Sequence, residues 1–154
     1  MSAGGNDFAS RFAPRANQFT RPALTVLIVD PDAENANRLA KAISARCVVA
    51  VAGSAQQALA TMRQRMPDLV VTELDLPDAN GLEFITTIHS TPATRNVLLM
   101  VVTRRTAIRD KIAAFQAGAD DYLVKPVEGQ LFEIHVQLLS RFRQTLQNTT
   151  FGAP

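Results

Sequence analysis

The stretch PDLVVTELDLPDANG, residues 67–81, decides the fold. Leu69 to Glu73 reads as a short strand, Pro67 separates it from the helix before it, and Leu82 to His89 reads as the helix after it. Working outward, Leu24 to Val29 is a continuous apolar and β-branched run, which suits a strand buried on both faces of a parallel sheet, and it ends abruptly at Asp30. From Asp32 onward Ala36, Leu39, Ala40 and Ile43 recur at helical spacing; Pro31 is tolerated in a first turn, and either Asp30 or Asp32 caps the helix. Cys47 to Val51 reads as a strand and Ser54 to Met66 as a helix. Downstream, Val97 to Val102 is the most apolar strand, Thr106 to Gln116 is a helix closed by Gly118, and Tyr122 to Val124 is a short strand before Lys125-Pro126.

Five strands alternating with five helices through short loops predict an α/β fold, a doubly wound and mostly parallel sheet covered by helices on both faces, with right-handed crossovers. In such sheets chemistry gathers at the carboxyl ends of the strands, near the switch point of the strand order. That rule selects Asp30 after the first strand, Glu73 at the end of the third, Thr103 after the fourth and Lys125 after the fifth. The last helix starts at about Val127, and Leu131, Ile134, Leu138, Phe142 and Leu146 recur along it at three and four. Only part of that stripe is needed for packing; the excess suits a partner helix or a lead into an output domain, unless the helix simply frays at Asn148.

With 154 residues, the chain fits one domain with a core of its own. Its 47% hydrophobic and 19% charged residues argue against disorder. Residues 1–23 carry Gly4, Gly5, Pro14 and Pro22 without a sustained period and read as a flexible arm; residues 24–140 hold the domain, and 141–154 a helix extension and tail. The lone Cys47 forms no internal disulfide and reads as a small buried hydrophobe. The absence of an apolar run near 20 residues, or of a signal peptide's apolar core, points to a cytoplasmic chain that is not in the membrane. A net charge of +2 is too small to imply nucleic acid. His89 and His135 stand at no metal-ligand spacing, and no P-loop or dinucleotide fingerprint is present.

VLIVD at 26–30, PDLVVTELDLPDANG at 67–81, VVT at 101–103 and AGADDYLVKP at 117–126 resemble, in order and on the right strand ends, the receiver domain of two-component response regulators. The resemblance spans about residues 24–140. It implies the flavodoxin-like, three-layer arrangement with strand order 2-1-3-4-5. It also implies a phosphoacceptor position at Glu73, an active-site pocket of Asp30, Thr103 and Lys125, and a switch pair of Thr103 and Tyr122. It further implies a cis bond before Pro126 and a Mg²⁺ ion. The partners it implies are a histidine kinase, a phosphotransfer protein or an output protein, and a homodimer in which the charged Asp120 and Asp121 take part unless they form a solvated turn.

Two positions depart from the family pattern. Glu73 stands where the family has an aspartate, one methylene longer in a site that works near an attack distance of roughly 3 to 3.5 Å. Pro31 replaces the second acid of the metal-binding pair, leaving Asp30, a displaced Asp32 that serves as cap or ligand, Glu73, and the Asp75 backbone carbonyl as weak ligands for Mg²⁺. These departures point to a signalling module that works by protein contacts with little or no phosphorylation, not to an enzyme. The alternatives are an active phospho-receiver using Glu73 or Asp75, and nucleic-acid binding through the basic termini with Arg141 and Arg143, which lacks a helix-turn-helix.

Overall fold

The computed structural model describes residues 23–151, and the side chains of residues 23–145. Residues 1–22 of the expected arm and the side chain of Leu146 lie outside the described part. The elements run β1 Leu24–Val29, α1 Ala33–Ile43, β2 Cys47–Ala52, α2 Ala55–Gln64, β3 Leu69–Thr72, α3 Gly81–Ser90, β4 Leu98–Thr103, α4 Ile108–Ala117, β5 Asp121–Val124 and α5 Gly129–Phe151. All strand pairs are parallel, as the alternating pattern predicts, and their order is β2-β1-β3-β4-β5, as the resemblance implies. Among the described residues no helix is long and apolar enough to cross a membrane.

Successive strand residues point to opposite faces, so each central strand feeds two cores. Leu27, Val29, Val70, Leu99 and Val101 pack on one face with Ala58 and Met62 of α2, Ile85 and Ile88 of α3 and Ala114 of α4. Val26, Ile28, Leu69, Val71, Met100 and Val102 pack on the other with Leu39 of α1 and Phe132 and Val136 of α5. The central strands therefore read as unbroken apolar runs, whereas β2 at the edge leaves Val48 and Val51 about two-fifths exposed.

Several boundaries move, for local reasons. Asp32, not Asp30, is the N-cap of α1, and its carboxylate accepts the Asn35 N–H. Ser54 caps α2 and lies outside the helix, which ends at Gln64 with Arg65 already extended ahead of Pro67. Strand β3 stops at Thr72, one residue before Glu73, although the Glu73 N–H still bonds to the Val29 carbonyl at 2.9 Å. Cys47 is half-buried, not buried, and burial pushes its thiol upward in pKa.

The largest correction concerns α5. Leu131, Ile134, Leu138 and Phe142 are all 46–52% exposed, so the stripe read from the sequence is not the packing face. Phe132, Val136 and Leu139, one or two positions away, are buried instead. The helix carries two apolar faces, and periodicity alone selected the wrong one.

A single glycine sets how closely α3 meets the end of β3. A Cβ on Gly81 would lie 2.5 Å from both the Cα and the carbonyl oxygen of Leu74, and the Gly81 N–H bonds to that carbonyl at 3.0 Å. The obstacle is backbone, which cannot swing aside. Gly81→Ala is expected to destabilise the domain by about 1–3 kcal/mol in urea denaturation, the range for forced overpacking. A variant as stable as the native chain would show that the Leu74 turn yields freely.

Candidate functional site

Parallel strands that end at one level bring Asp30, Glu73, Thr103 and Lys125 to a single edge of the sheet. Asp30 and Glu73 are 4% and 6% exposed, a burial that two carboxylates tolerate only with a cation and donors at hand. Lys125 supplies the cation. Its Nζ donates to Asp30 Oδ2 at 2.8 Å and to Glu73 Oε2 at 2.7 Å. The peptide bond between Lys125 and Pro126 is cis.

The remaining oxygens are also engaged. Glu73 Oε1 accepts the N–H groups of Leu74 at 2.7 Å and Asp75 at 3.2 Å, so the chain turning out of β3 wraps around the carboxylate of its own glutamate. Asp30 Oδ1 accepts the Asp32 N–H at 2.9 Å, and Oδ2 also accepts from Asn35 Nδ2 at 2.9 Å. Burial pulls the Lys125 ammonium down in pKa, but hydrogen bonds to Asp30 and Glu73 outweigh it and leave the group above its ordinary value. The result is a buried charge cluster that satisfies itself.

Thr103 is fully buried at the end of β4, and its hydroxyl oxygen takes the Arg105 N–H at 3.4 Å, not Glu73. The Tyr122 hydroxyl donates to the Arg105 carbonyl at 2.8 Å. Asp75 turns its carboxylate outward, 62% exposed, and meets the Arg105 guanidinium through Nη2 to Oδ1 and through Nε to Oδ2 at 3.2 Å. That pair holds the Asp75 carboxyl below the usual carboxylate range, chiefly through the hydrogen bond from Arg105. Arg105 and Asp78 were not legible as site residues. Asp78 accepts the N–H groups of Ala55 and Gln56, each at 2.9 Å, and so anchors the loop after β3 to the first turn of α2. Only the two adjacent arginines after Thr103 could have drawn notice, and nothing local said which reaches back to Asp75.

The donor set is a poor match for Mg²⁺, which demands near-octahedral oxygen coordination. Asp32 accepts the Asn35 N–H as helix cap, Pro31 brings no side-chain oxygen, the Asp75 carboxylate is clasped by Arg105 so that only its backbone carbonyl is left to offer, and both Asp30 oxygens already accept N–H groups. Among the described residues no group of three His, Cys, Asp or Glu side chains is placed to hold an ion. The Lys125 ammonium bridges Asp30 and Glu73 as a bound cation would.

His135, which stands at no metal-ligand spacing, places Nδ1 2.7 Å from Oδ2 of Asp121, one of the two acids expected at a dimer contact or a solvated turn, and so ties α5 to β5. Asp120 is likewise committed, accepting the Leu99 N–H at 2.9 Å. Arg143, expected among the basic termini, bonds to the Asp68 carbonyl at 2.8 Å, at the amino end of β3, opposite the end that carries Glu73.

The family profile described as the response regulator receiver domain matches residues 26–137. The transcriptional regulatory protein AfsQ1 of Streptomyces coelicolor is 33% identical over 107 residues, covering 68% of this chain and 46% of that protein. The DNA-binding response regulator MtrA of Mycobacterium tuberculosis is 32% identical over 123 residues, covering 79% of this chain and 50% of that protein. The chain thus spans about half the length of these relatives. A crystal structure described as a response regulator from Chloroflexus aurantiacus superposes with a TM-score of 0.71 at 33% identity, covering 77% of this chain and 97% of the other. The chemotaxis response regulator CheY4 of Vibrio cholerae shares the fold, with a TM-score of 0.71 at 21% identity over 76% of this chain and 98% of the other.

Proposed function

The chain belongs to the response regulator receiver domain family, and from that premise we propose that it signals through protein contacts with little or no aspartyl phosphorylation. The observation that carries this reading is the Glu73 carboxylate, held by two backbone N–H groups on one oxygen and by Lys125 on the other. A nucleophile needs a free oxygen at attack distance and a cation to offset the phosphoryl charge. Here the lysine is already neutralised by two carboxylates, and the carboxylate to be modified is the lysine's own partner. Glu73 acts as a built-in anion facing Lys125, with less charge than a phosphoryl group carries. The site works without Mg²⁺, because the ammonium takes the place between Asp30 and Glu73.

Asp75 as a relocated acceptor is the weaker reading, since its carboxylate faces solvent and Arg105. Direct nucleic-acid binding is weaker too, because Arg143 is engaged inside the fold. The partner is a protein of the cytoplasm: a histidine kinase, a phosphotransfer protein, an output protein or a second copy of this chain. The exposed Leu131, Ile134, Leu138 and Phe142 of α5 offer it an apolar face.

The test is intact mass after incubation with a small phosphodonor and Mg²⁺. The native chain is expected to gain no phosphoryl mass. Glu73→Asp restores the shorter nucleophile and gives feeble labelling, and Glu73→Asp/Pro31→Asp, which also restores a metal ligand, gives more. Efficient labelling of the native chain, abolished by Glu73→Gln or by Asp75→Asn, would refute the proposal.

A further inference from the structure

We propose that Arg105 is a positioning residue whose ionic latch to Asp75 closes the β4–α4 loop over the Glu73 site and keeps Tyr122 turned toward it. Four contacts converge on this one residue. Its guanidinium clasps Asp75 and stands 3.8 Å from Asp110 in the first turn of α4; its N–H meets Thr103, and its carbonyl receives the Tyr122 hydroxyl. The Asp75 side of the latch is firm, since the same loop is pinned to α2 through Asp78.

The Tyr122 ring connects the latch to α4. It lies 6.5 Å from the Phe115 ring, and Lys111 Nζ sits 5.9 Å from its centre. Ile108, Ile112 and Phe115 of α4 are 48–72% exposed, so the helix that Tyr122 steadies is also one that shows an apolar face to solvent. The latch therefore biases how that face is presented. Arg105 is 40% and Asp75 62% exposed, a setting in which an ion pair shifts a loop equilibrium without locking it. This assignment goes beyond the proposed function and does not depend on whether Glu73 can be modified.

Tyr122 is the only tyrosine in a chain without tryptophan, so its fluorescence reports the latch directly. The experiment is acrylamide quenching of that fluorescence in the full chain, in its native form and as Arg105→Gln, Arg105→Lys and Asp75→Asn. Removing either charge is expected to raise the quenching constant by up to about fivefold, which corresponds to the ~1 kcal/mol upper end for an exposed pair. Arg105→Lys, which keeps the charge, stays nearer the native value than Arg105→Gln does. Salt raises quenching in the native chain toward the Arg105→Gln level and leaves Arg105→Gln itself unchanged, because it screens a pair that only the native chain has. Unchanged quenching in Arg105→Gln and Asp75→Asn overturns the proposal. So does equal quenching in the Lys and Gln variants, which would show that bulk and not charge matters at position 105. The same titration after Glu73→Gln separates this from the proposed function: the Arg105 effects persist there if the latch is independent of the site's charge.

Discussion

Lys125→Met destabilises the domain by about 3–5 kcal/mol near neutral pH, the range for breaking a buried ion pair by removing one partner. Asp30 and Glu73, 4% and 6% exposed, would then face each other with backbone N–H groups and the Asn35 amide but no cation. The methionine fills the volume, so the loss reports charge and not a cavity. Urea denaturation measures it. Acidification is expected to narrow the gap between variant and native chains, since protonating either carboxylate in the variant relieves the repulsion. The gap also narrows on the alkaline side, there through the native chain. The hydrogen bonds that raise the Lys125 pKa make its contribution fully present below the unfolded lysine value and lost as pH rises through the folded one. Native stability therefore falls in strongly alkaline solution through this group, and the methionine variant lacks that loss. A gap below about 1 kcal/mol at neutral pH, the range of an exposed pair, would mean that water screens the cluster.

The second large effect distinguishes the two apolar faces of α5. Phe132→Ala costs about 3–5 kcal/mol, because Phe132 is wholly buried where α5 packs on α1 and the sheet. Leu138→Ala, on the same helix but 52% exposed, changes stability by no more than about 0.5 kcal/mol. Both are read by urea denaturation of the full chain. A loss above about 2 kcal/mol in Leu138→Ala, comparable to a core truncation, would show that the outward face is covered within the fold or by a tight assembly.

Lys111, Arg105 and Asp110 also surround Tyr122, whose phenol is pushed up in pKa first by burial and then by the Asp110 charge. The ring is thus held in a partly closed place by its neighbours, although nothing in the run DDYLVKP shows that Arg105, 17 residues upstream, supplies the carbonyl it bonds.

The order of strands and helices, and the meeting of Asp30, Glu73 and Lys125 at one sheet edge, were legible in the chain by itself. Unbroken apolar runs have few ways to hide both faces, parallel strands need crossover helices, and residues that end such strands must share an edge. Which residues stand at those strand ends was equally plain, Glu73 and Pro31 among them, whereas reading these two as departures rests on the family resemblance. What tertiary structure alone decided is which partners those residues choose. Whether Asp75 would ligate, react or pair depended on Arg105, 30 residues away; Asp32 caps α1, while Asp30, two residues earlier, meets Lys125 arriving after β5. The face that α5 buries was open for the same reason. Leu131, Ile134, Leu138 and Phe142 satisfy helical spacing as well as Phe132, Val136 and Leu139 do, and only the position of α1 and the sheet selects between them.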